Sequence, residues 1–312
     1  MKTAFIAGAG LGSRLRPLTE RRPKPLVPLF NRPLICHTLE ALCAAGIERV
    51  VINTHHCAPR YDDLLGLKDG AGRFGTLDIQ CIYEPVLLDT AGGIRNASAL
   101  LGNEPVLVHN GDIFTTVDLV RLMQAHLSGS SEVTAHLRSH GGPLQISYNE
   151  PTGMIHDVRH FLGRPGSKDC LFTGIYIIEP AFISRIPENE IISVVPIFLD
   201  MLRAGVPVRG VLDDVGVWAD IGNRDAYLGA HGELHQVVGC PQICLHADAI
   251  VSELASLRGF VSVGAGAVIE AGAVVEDSVI WENAKIASGA RLQRCIVRDN
   301  QHAAGHLIDQ DI

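Results

Sequence analysis

Apolar positions fall into two rhythms along this chain. From Met1 to about Gln236, short apolar runs alternate with stretches of helical spacing; beyond a junction at Val237 to Leu245, apolar residues recur every six positions. In the first region Thr3 to Ile6 is a run of strand length. Leu34 to Gly46 carries Leu34, Ile35, Leu39, Leu42 and Cys43 at helical spacing and ends on glycine, so it predicts a helix with a C-terminal stop. The alternation goes on through Val50-Val51-Ile52 (strand), Tyr61 to Leu65 (short helix), Leu77 to Tyr83 (strand), Thr90 to Leu101 (helix) and Pro105 to His109 (strand). Strands separated by helices predict an α/β, doubly wound, mostly parallel sheet, whose ligands sit beyond the carboxyl ends of the strands. Residues 132 to 178 read as β-rich, through Val133 to Leu137, Leu144 to Tyr148, Met154 to Val158 and Leu171 to Ile178, which predicts an inserted extension of the sheet. Arg224 to Leu234 reads as a helix.

In the second region Val268, Val274, Ile280, Ile286 and Leu292 keep a period of six, and Val263, Ile269, Val275 and Trp281 run beside them. Glycine or a small residue stands at positions 266, 272, 278, 284 and 290. This period predicts a parallel β-helix of hexapeptide turns. With about 18 residues a coil, Val263 to Val297 makes about two coils, and so short a prism leaves an edge to be covered by the rest of the chain or by a second subunit. The expected domains are therefore 1–236 and 245–312.

The first strand empties into Gly8, Gly10 and Gly12, a junction that lets backbone N–H groups approach an anion closely. Arg14 adds a fork of donors suited to phosphate oxygens, and Lys24, between Pro23 and Pro25, adds a point charge on a stiffened segment. Two familiar phosphate loops are excluded on spacing. A dinucleotide fingerprint would need glycine at Ser13 or Leu15, and a Walker loop would need glycine before Lys24.

Two carboxylates extend this picture. The strand ending in His109 runs into Asn110-Gly111-Asp112, which places Asp112 at the same edge as the glycine loop, where Mg²⁺ on nucleotide phosphates takes an oxygen ligand. Asp220, in Trp218-Ala219-Asp220-Ile221-Gly222, is a second candidate for the same ion. Read alone, each has a plainer account, an Asn-Gly turn for the first and a helix-leading Asp for the second.

Composition narrows the field. Apolar residues make up 47% and charged residues 19%, as in globular proteins. The net charge of −8 argues against a general nucleic-acid or membrane surface, while a small anionic ligand needs only local donors. No apolar run reaches the ~20 residues of a membrane span, no signal segment is recognisable, and the eight cysteines show no disulfide spacing, so a cytoplasmic protein is expected.

The pattern G-x-G-x-R-x-x-P-x-T with P-K-P-L, here Gly10 to Thr19 and Pro23 to Leu26, resembles the signature loop of the sugar-1-phosphate nucleotidylyltransferases. Glu84-Pro85, Leu88 to Gly93, Asn110 to Asp112, Phe172 to Tyr176, Trp218 to Gly222 and the hexapeptide tail follow in the order seen in that family. The resemblance implies a Rossmann-like nucleotidyltransferase domain followed by a left-handed parallel β-helix. It implies that a sugar 1-phosphate attacks the α-phosphate of a nucleoside triphosphate and releases pyrophosphate, with Mg²⁺ as cofactor. Arg14, Lys24 and Asp112 would be catalytic and Asp112 and Asp220 would hold the metal. Ala9, Gly10, Gly12, Ser13, Glu84, Gly92, Gly93 and Gly111 would bind nucleotide, Gly92 and Gly93 close to the base, and Thr173 and Gly174 would meet the sugar. Many members carry a Glu-Lys-Pro that grips the sugar phosphate; here Val158 to Lys168 has no matching lysine, and Arg159, Arg164 and Lys168 are the basic residues in its place. That gap and the Thr-Ala-Gly-Gly run point to a mannose-1-phosphate guanylyltransferase or N-acetylmuramate-1-phosphate uridylyltransferase, and the tail tilts the reading to the first. A nucleotide-sugar sensor without turnover is the rival from another class. A tail serving as an acyltransferase is a third reading, with few coils and no evident catalytic His.

Overall fold

The computed structural model describes all residues, Met1–Ile312. They form two compact units: Met1–Leu11, Pro23–Pro25 and Ile35–Ala219 make the first, and Gly12–Arg22, Leu26–Leu34 and Asp220–Ile312 make the second. The division is not the sequential one expected at 236 and 245. Residues 12–22, 26–34 and the helix Arg224–Glu233 are bonded into the tail's own unit: Tyr227 Oη donates to the Pro28 carbonyl (2.5 Å), Trp281 Nε1 donates to Tyr227 Oη (3.0 Å), and Ser262 Oγ donates to Asn31 Oδ1 (2.9 Å).

The first unit is built on a ten-stranded sheet. Its order is Ile146–Asn149, Met154–Val158, Val208–Leu212, Val133–Arg138, Lys168–Ile178, Val106–Asn110, Thr3–Ala7, Arg49–Thr54, Leu77–Tyr83 and Ala71–Phe74. Thr3–Ala7 lies between two parallel neighbours, with Ala7 level with Asn53 on one side and Asn110 on the other. Three strands thus end together, and their loops leave one edge side by side. Burial of Phe5, Val51 and Val108 under the helices holds this centre, each such side chain contributing about 1.5–3 kcal/mol.

The sheet is less parallel than expected. Lys168–Ile178 runs antiparallel to both Val106–Asn110 and Val133–Arg138, so the 132–178 stretch supplies central strands as well as the edge, and is not a mere insertion. Its long strand turns a hydrophobic face to the helix Val194–Arg203, where Phe172, Tyr176, Phe182 and Phe198 meet edge to face or tilted. The expected helix over 90–101 is two, Asp89–Asn96 and Ser98–Leu101. Helix Leu119–Leu127, capped by Asp118 accepting from Arg121 N (2.9 Å), was not assigned from sequence. No helix is long and apolar enough to cross a membrane.

In the second unit the tail forms parallel stacks. Ile250–Val251, Val268–Ile269, Lys285–Ile286 and His302–Ala303 make a four-stranded sheet, and a second stack runs from Ile243–Leu245 to His306–Ile308. Ile250 pairs with Val268 and Val268 with Lys285, close to the 18-residue repeat read from the sequence. The stack is longer than two coils because it starts at Ile243 rather than Val263 and continues past Val297. The two apolar registers are both used: Val263, Ile269 and Val275 face the core first, then Ile280, Ile286 and Leu292 after a one-residue shift. Asp277, with φ 46°, stands at that shift. Helix Arg224–Glu233 packs on strands Ser256–Val263 and Val274–Ile280 and covers one side of the stack.

Candidate active site

At the carboxyl ends of the three central strands the first unit holds an open cleft of about 410 Å³. Ala7 to Gly10, Lys24, Pro25, Asn53, Leu87, Asp89, Thr90, Asn110, Asp112 and Ile191 line it. The lining comes from the first unit alone.

The loops are tied by one chain of hydrogen bonds. Gly8 N donates to Asn53 Oδ1 (2.7 Å), Asn53 Nδ2 donates to Glu84 Oε1 (2.8 Å), and Leu88 N donates to Glu84 Oε2 (3.1 Å). Tyr61 Oη donates to the Gly8 carbonyl (3.0 Å). Glycine is required at position 8, since a Cβ there would stand 2.6 Å from that hydroxyl and 2.8 Å from the Asn53 carbonyl. Glu84 is wholly buried, and both its oxygens are engaged. Burial pushes its carboxyl above the usual range, while the Asn53 and Leu88 hydrogen bonds pull the other way.

Opposite this chain stands an ion pair. Gly111 N donates to the Ala7 carbonyl (3.0 Å) in a turn so close that a Cβ would lie 2.7 Å from both that oxygen and Pro25 Cγ. The turn delivers Asp112 to the Pro23–Pro25 segment, where Lys24 Nζ donates to Asp112 Oδ2 at 2.5 Å. Lys24 is nearly buried, whereas the Asp112 carboxylate is 29% exposed toward the cleft. Below it His109 is completely enclosed, its Nδ1 on the Asn110 carbonyl, and burial pulls its imidazole down to about 4, so it is neutral at pH 7.

Of the residues expected from sequence, the cleft gathers Ala9, Gly10, Lys24 and Asp112. Glu84, Gly92, Gly93 and Gly111 are not in its lining. A Cβ on Gly92 would meet the Glu190 carbonyl at 2.5 Å, and one on Gly93 would meet Asn53 Nδ2 at 2.5 Å, so both glycines give protein neighbours room. Thr173 donates to the His136 carbonyl (3.0 Å), and Gly174, at φ 76°, makes room for the Asn110 side chain. Gly12, Ser13, Arg14 and Asp220 belong to the second unit. There Gly12 takes φ 61° and its carbonyl accepts from Thr19 Oγ1 (2.8 Å), Ser13 and Arg14 are exposed, and Asp220 closes the strand Trp218–Asp220. Sequence reasoning missed Asn53, Asp89, Thr90 and Asn110. The readable signal was a polar residue directly after an apolar strand core, as in Ile52-Asn53 and His109-Asn110.

Residues 3–237 match the nucleotidyl transferase family. The chain belongs to that family. This nucleotidyltransferase is 30% identical over 303 residues to the mannose-1-phosphate guanylyltransferase of Mycobacterium tuberculosis, covering 93% of this chain and 83% of the relative. It is 34% identical over 223 residues to the N-acetylmuramate alpha-1-phosphate uridylyltransferase of Neisseria meningitidis, covering 70% of this chain and 92% of the relative. Among solved structures, HddC from Yersinia pseudotuberculosis superposes with a TM-score of 0.60 at 22% identity, covering 74% of this chain and 98% of that one, a likeness of fold. The nucleotidyltransferase fold thus accounts for the cleft's place at the strand ends, and Asp112 offers the hard oxygen donor that Mg²⁺ prefers.

Proposed function

We propose that this nucleotidyltransferase joins a nucleoside triphosphate to a sugar 1-phosphate, giving a nucleotide-sugar and pyrophosphate. The observation that carries the reading is the Lys24–Asp112 pair beside the glycine turn, at the carboxyl edge of the central strands. A sugar-phosphate oxygen attacks the α-phosphorus, the bond from that phosphorus to the β-bridging oxygen breaks, and its electron pair leaves with pyrophosphate. Such a displacement asks for alignment and for neutralisation of charge on the phosphoryl oxygens. Lys24 donates to phosphate at the reacting centre, and Gly10 and its neighbours cradle the triphosphate. Asp112 would hold Mg²⁺, which supplies charge neutralisation on the α-phosphate when bound. Thr173 and Gly174 shape the sugar side.

The mannose-1-phosphate guanylyltransferase reading is favoured by a relative of that name that aligns over 93% of this chain, tail included. The uridylyl reading, with N-acetylmuramate 1-phosphate, draws on a relative of that name with the higher identity, 34% over 223 residues. The tail is read as a left-handed β-helix that joins copies of the chain, and the protein as cytoplasmic. Pyrophosphate release, followed with four nucleoside triphosphates against several hexose 1-phosphates in the presence of Mg²⁺, tests the reading. Turnover of one pair, lowered on the order of 10²-fold in kcat by Lys24→Ala, is expected; silence across the panel would overturn it.

A further inference from the structure

The cleft of the first unit runs across four parallel strands, and its two ends differ. Asp112, with Lys24 on it, stands past the strand Val106–Asn110. The glycine turn follows Thr3–Ala7, Asn53 lies at the end of Arg49–Thr54, and residues 87–90 come after Leu77–Tyr83. Three steps of about 4.8 Å between neighbouring strands separate the ends by about 14 Å. A nucleotide laid across the strand ends therefore meets Lys24 with its phosphates and residues 87–90 with its base. The base end has apolar walls, Leu87 and Ile191, and Ile191 is 68% exposed. Its backbone is clamped: Ile192 N donates to the Leu88 carbonyl, Ala91 N and Gly92 N donate to the Ile192 carbonyl, and Val194 N donates to Thr90 Oγ1, each at 3.0 Å.

Within this clamp Asp89 takes φ 63°, a left-handed conformation that Asp tolerates better than most residues. Its Oδ1 accepts from Thr90 N (2.6 Å), and Lys24, the one cation of the lining, is held by Asp112. A negative charge in the first turn of Asp89–Asn96 gains from the helix dipole, and asparagine would cap Thr90 N as well. Neither gain answers the repulsion that a free carboxylate exerts on phosphates bound in the same cleft. Hydrogens donated by the base do answer it. Among the nucleobases, guanine alone sets two N–H donors side by side, at N1 and the 2-amino group, in the spacing of the two oxygens of a carboxylate. Uracil and thymine offer one N–H between two carbonyl oxygens, and adenine and cytosine set an amino group beside a bare ring nitrogen.

We propose that Asp89 is a specificity-determining residue of this cleft, accepting both donors of guanine and so selecting GTP. The inference rests on the transfer reading given under Proposed function, and binding measurements separate the two. Binding of GTP, of inosine triphosphate, which lacks the 2-amino group, and of UTP is measured by titration calorimetry with Mg²⁺ for the parent, Asp89→Ala and Asp89→Asn. Pyrophosphate release with hexose 1-phosphates is followed beside it. The parent is expected to bind GTP about tenfold more tightly than inosine triphosphate and about 10²-fold more tightly than UTP, each hydrogen bond to a charged acceptor counting for about tenfold. Asp89→Ala brings GTP and inosine triphosphate within about threefold of each other. Asp89→Asn keeps an acceptor for Thr90 N but sets an amide N–H against the base, and weakens GTP by about 10²-fold at an unchanged melting temperature. If the parent prefers GTP in this way yet turns over no pair, the transfer reading falls and Asp89 keeps its role. If UTP binds as well as GTP, if the ratio of GTP to inosine triphosphate survives Asp89→Ala, or if Asp89→Asn lowers only the melting temperature, the proposal is overturned while transfer stands on its turnover. Binding of none of the three would overturn both.

Discussion

Asn53→Asp changes one atom type at the hub of the cleft and makes the pH dependence of stability a test of the loop-tying chain. The new carboxylate keeps the oxygen that accepts from Gly8 N but sets an oxygen in place of the nitrogen that donates to Glu84 Oε1 at 2.8 Å. Two ionised carboxylates at that separation would repel by about 6 kcal/mol at an effective dielectric constant near 20. Holding one of them protonated at pH 7 costs less, about 3 kcal/mol for a group that ordinarily titrates near 4.5. Protonation wins, so the pair shares a proton and the destabilisation is capped near 3 kcal/mol. The shared proton means a folded-state pKa raised above its unfolded value. The variant is then nearly as stable as the parent below about pH 4.5, and the deficit grows as pH rises toward the raised value. Urea unfolding of both proteins at pH 5 and pH 7 measures this, with differences of about 1 and about 3 kcal/mol expected. An equal deficit at both pH values would mean that Asn53 and Glu84 do not face each other as described.

Other expectations follow from the same contacts. His109 and His136 are both held near 4 by burial, below the unfolded 6.5, so their share of stability is complete above pH 6.5 and lost as pH falls toward 4. At pH 5 each costs about 2 kcal/mol relative to pH 7, and His136→Leu, measured by urea unfolding, should flatten its share of that slope. Gly174→Ala places a Cβ 2.5 Å from Asn110 Nδ2 at a residue with φ 76°; a loss of about 2–4 kcal/mol in denaturant unfolding is expected, and no loss would contradict the geometry. Removing residues 245–312 takes Glu282, Asp299 and the Trp281 ring from Arg22 and bares the apolar face of helix Arg224–Glu233, so the shortened chain is expected to aggregate on size-exclusion chromatography, and a soluble monomer would contradict the packing described.

Much of the fold was legible because it is local. Leu77–Tyr83 and Met154–Val158 carry the bounds read from their apolar patterns, and the period of six announced the parallel stacks. Strand partnership was not legible. That Lys168–Ile178 lies antiparallel between two central strands depends on long connections that no local spacing encodes. The helix Val194–Arg203 had a readable apolar face, yet it is held by an aromatic cluster assembled from two distant segments. At the cleft, Lys24 and Asp112 stood out as charges in glycine- and proline-rich surroundings. Glu84 stood out too, but sequence could not tell that its carboxylate turns inward to bind Asn53 and Leu88, because that choice is made by hydrogen-bond complementarity between neighbouring strand ends.

The stretch from Gly12 to Arg22 is made among the first residues of the protein but is seated against side chains near position 298, with Arg298 donating to the Pro17 carbonyl and pairing with Glu20. On a ribosome that builds from the N-terminus, this loop must wait, unsettled, until almost the whole polypeptide has emerged. The seating of this loop therefore arrives last in synthesis, and a prematurely terminated product carries the loop without the contacts that fix it.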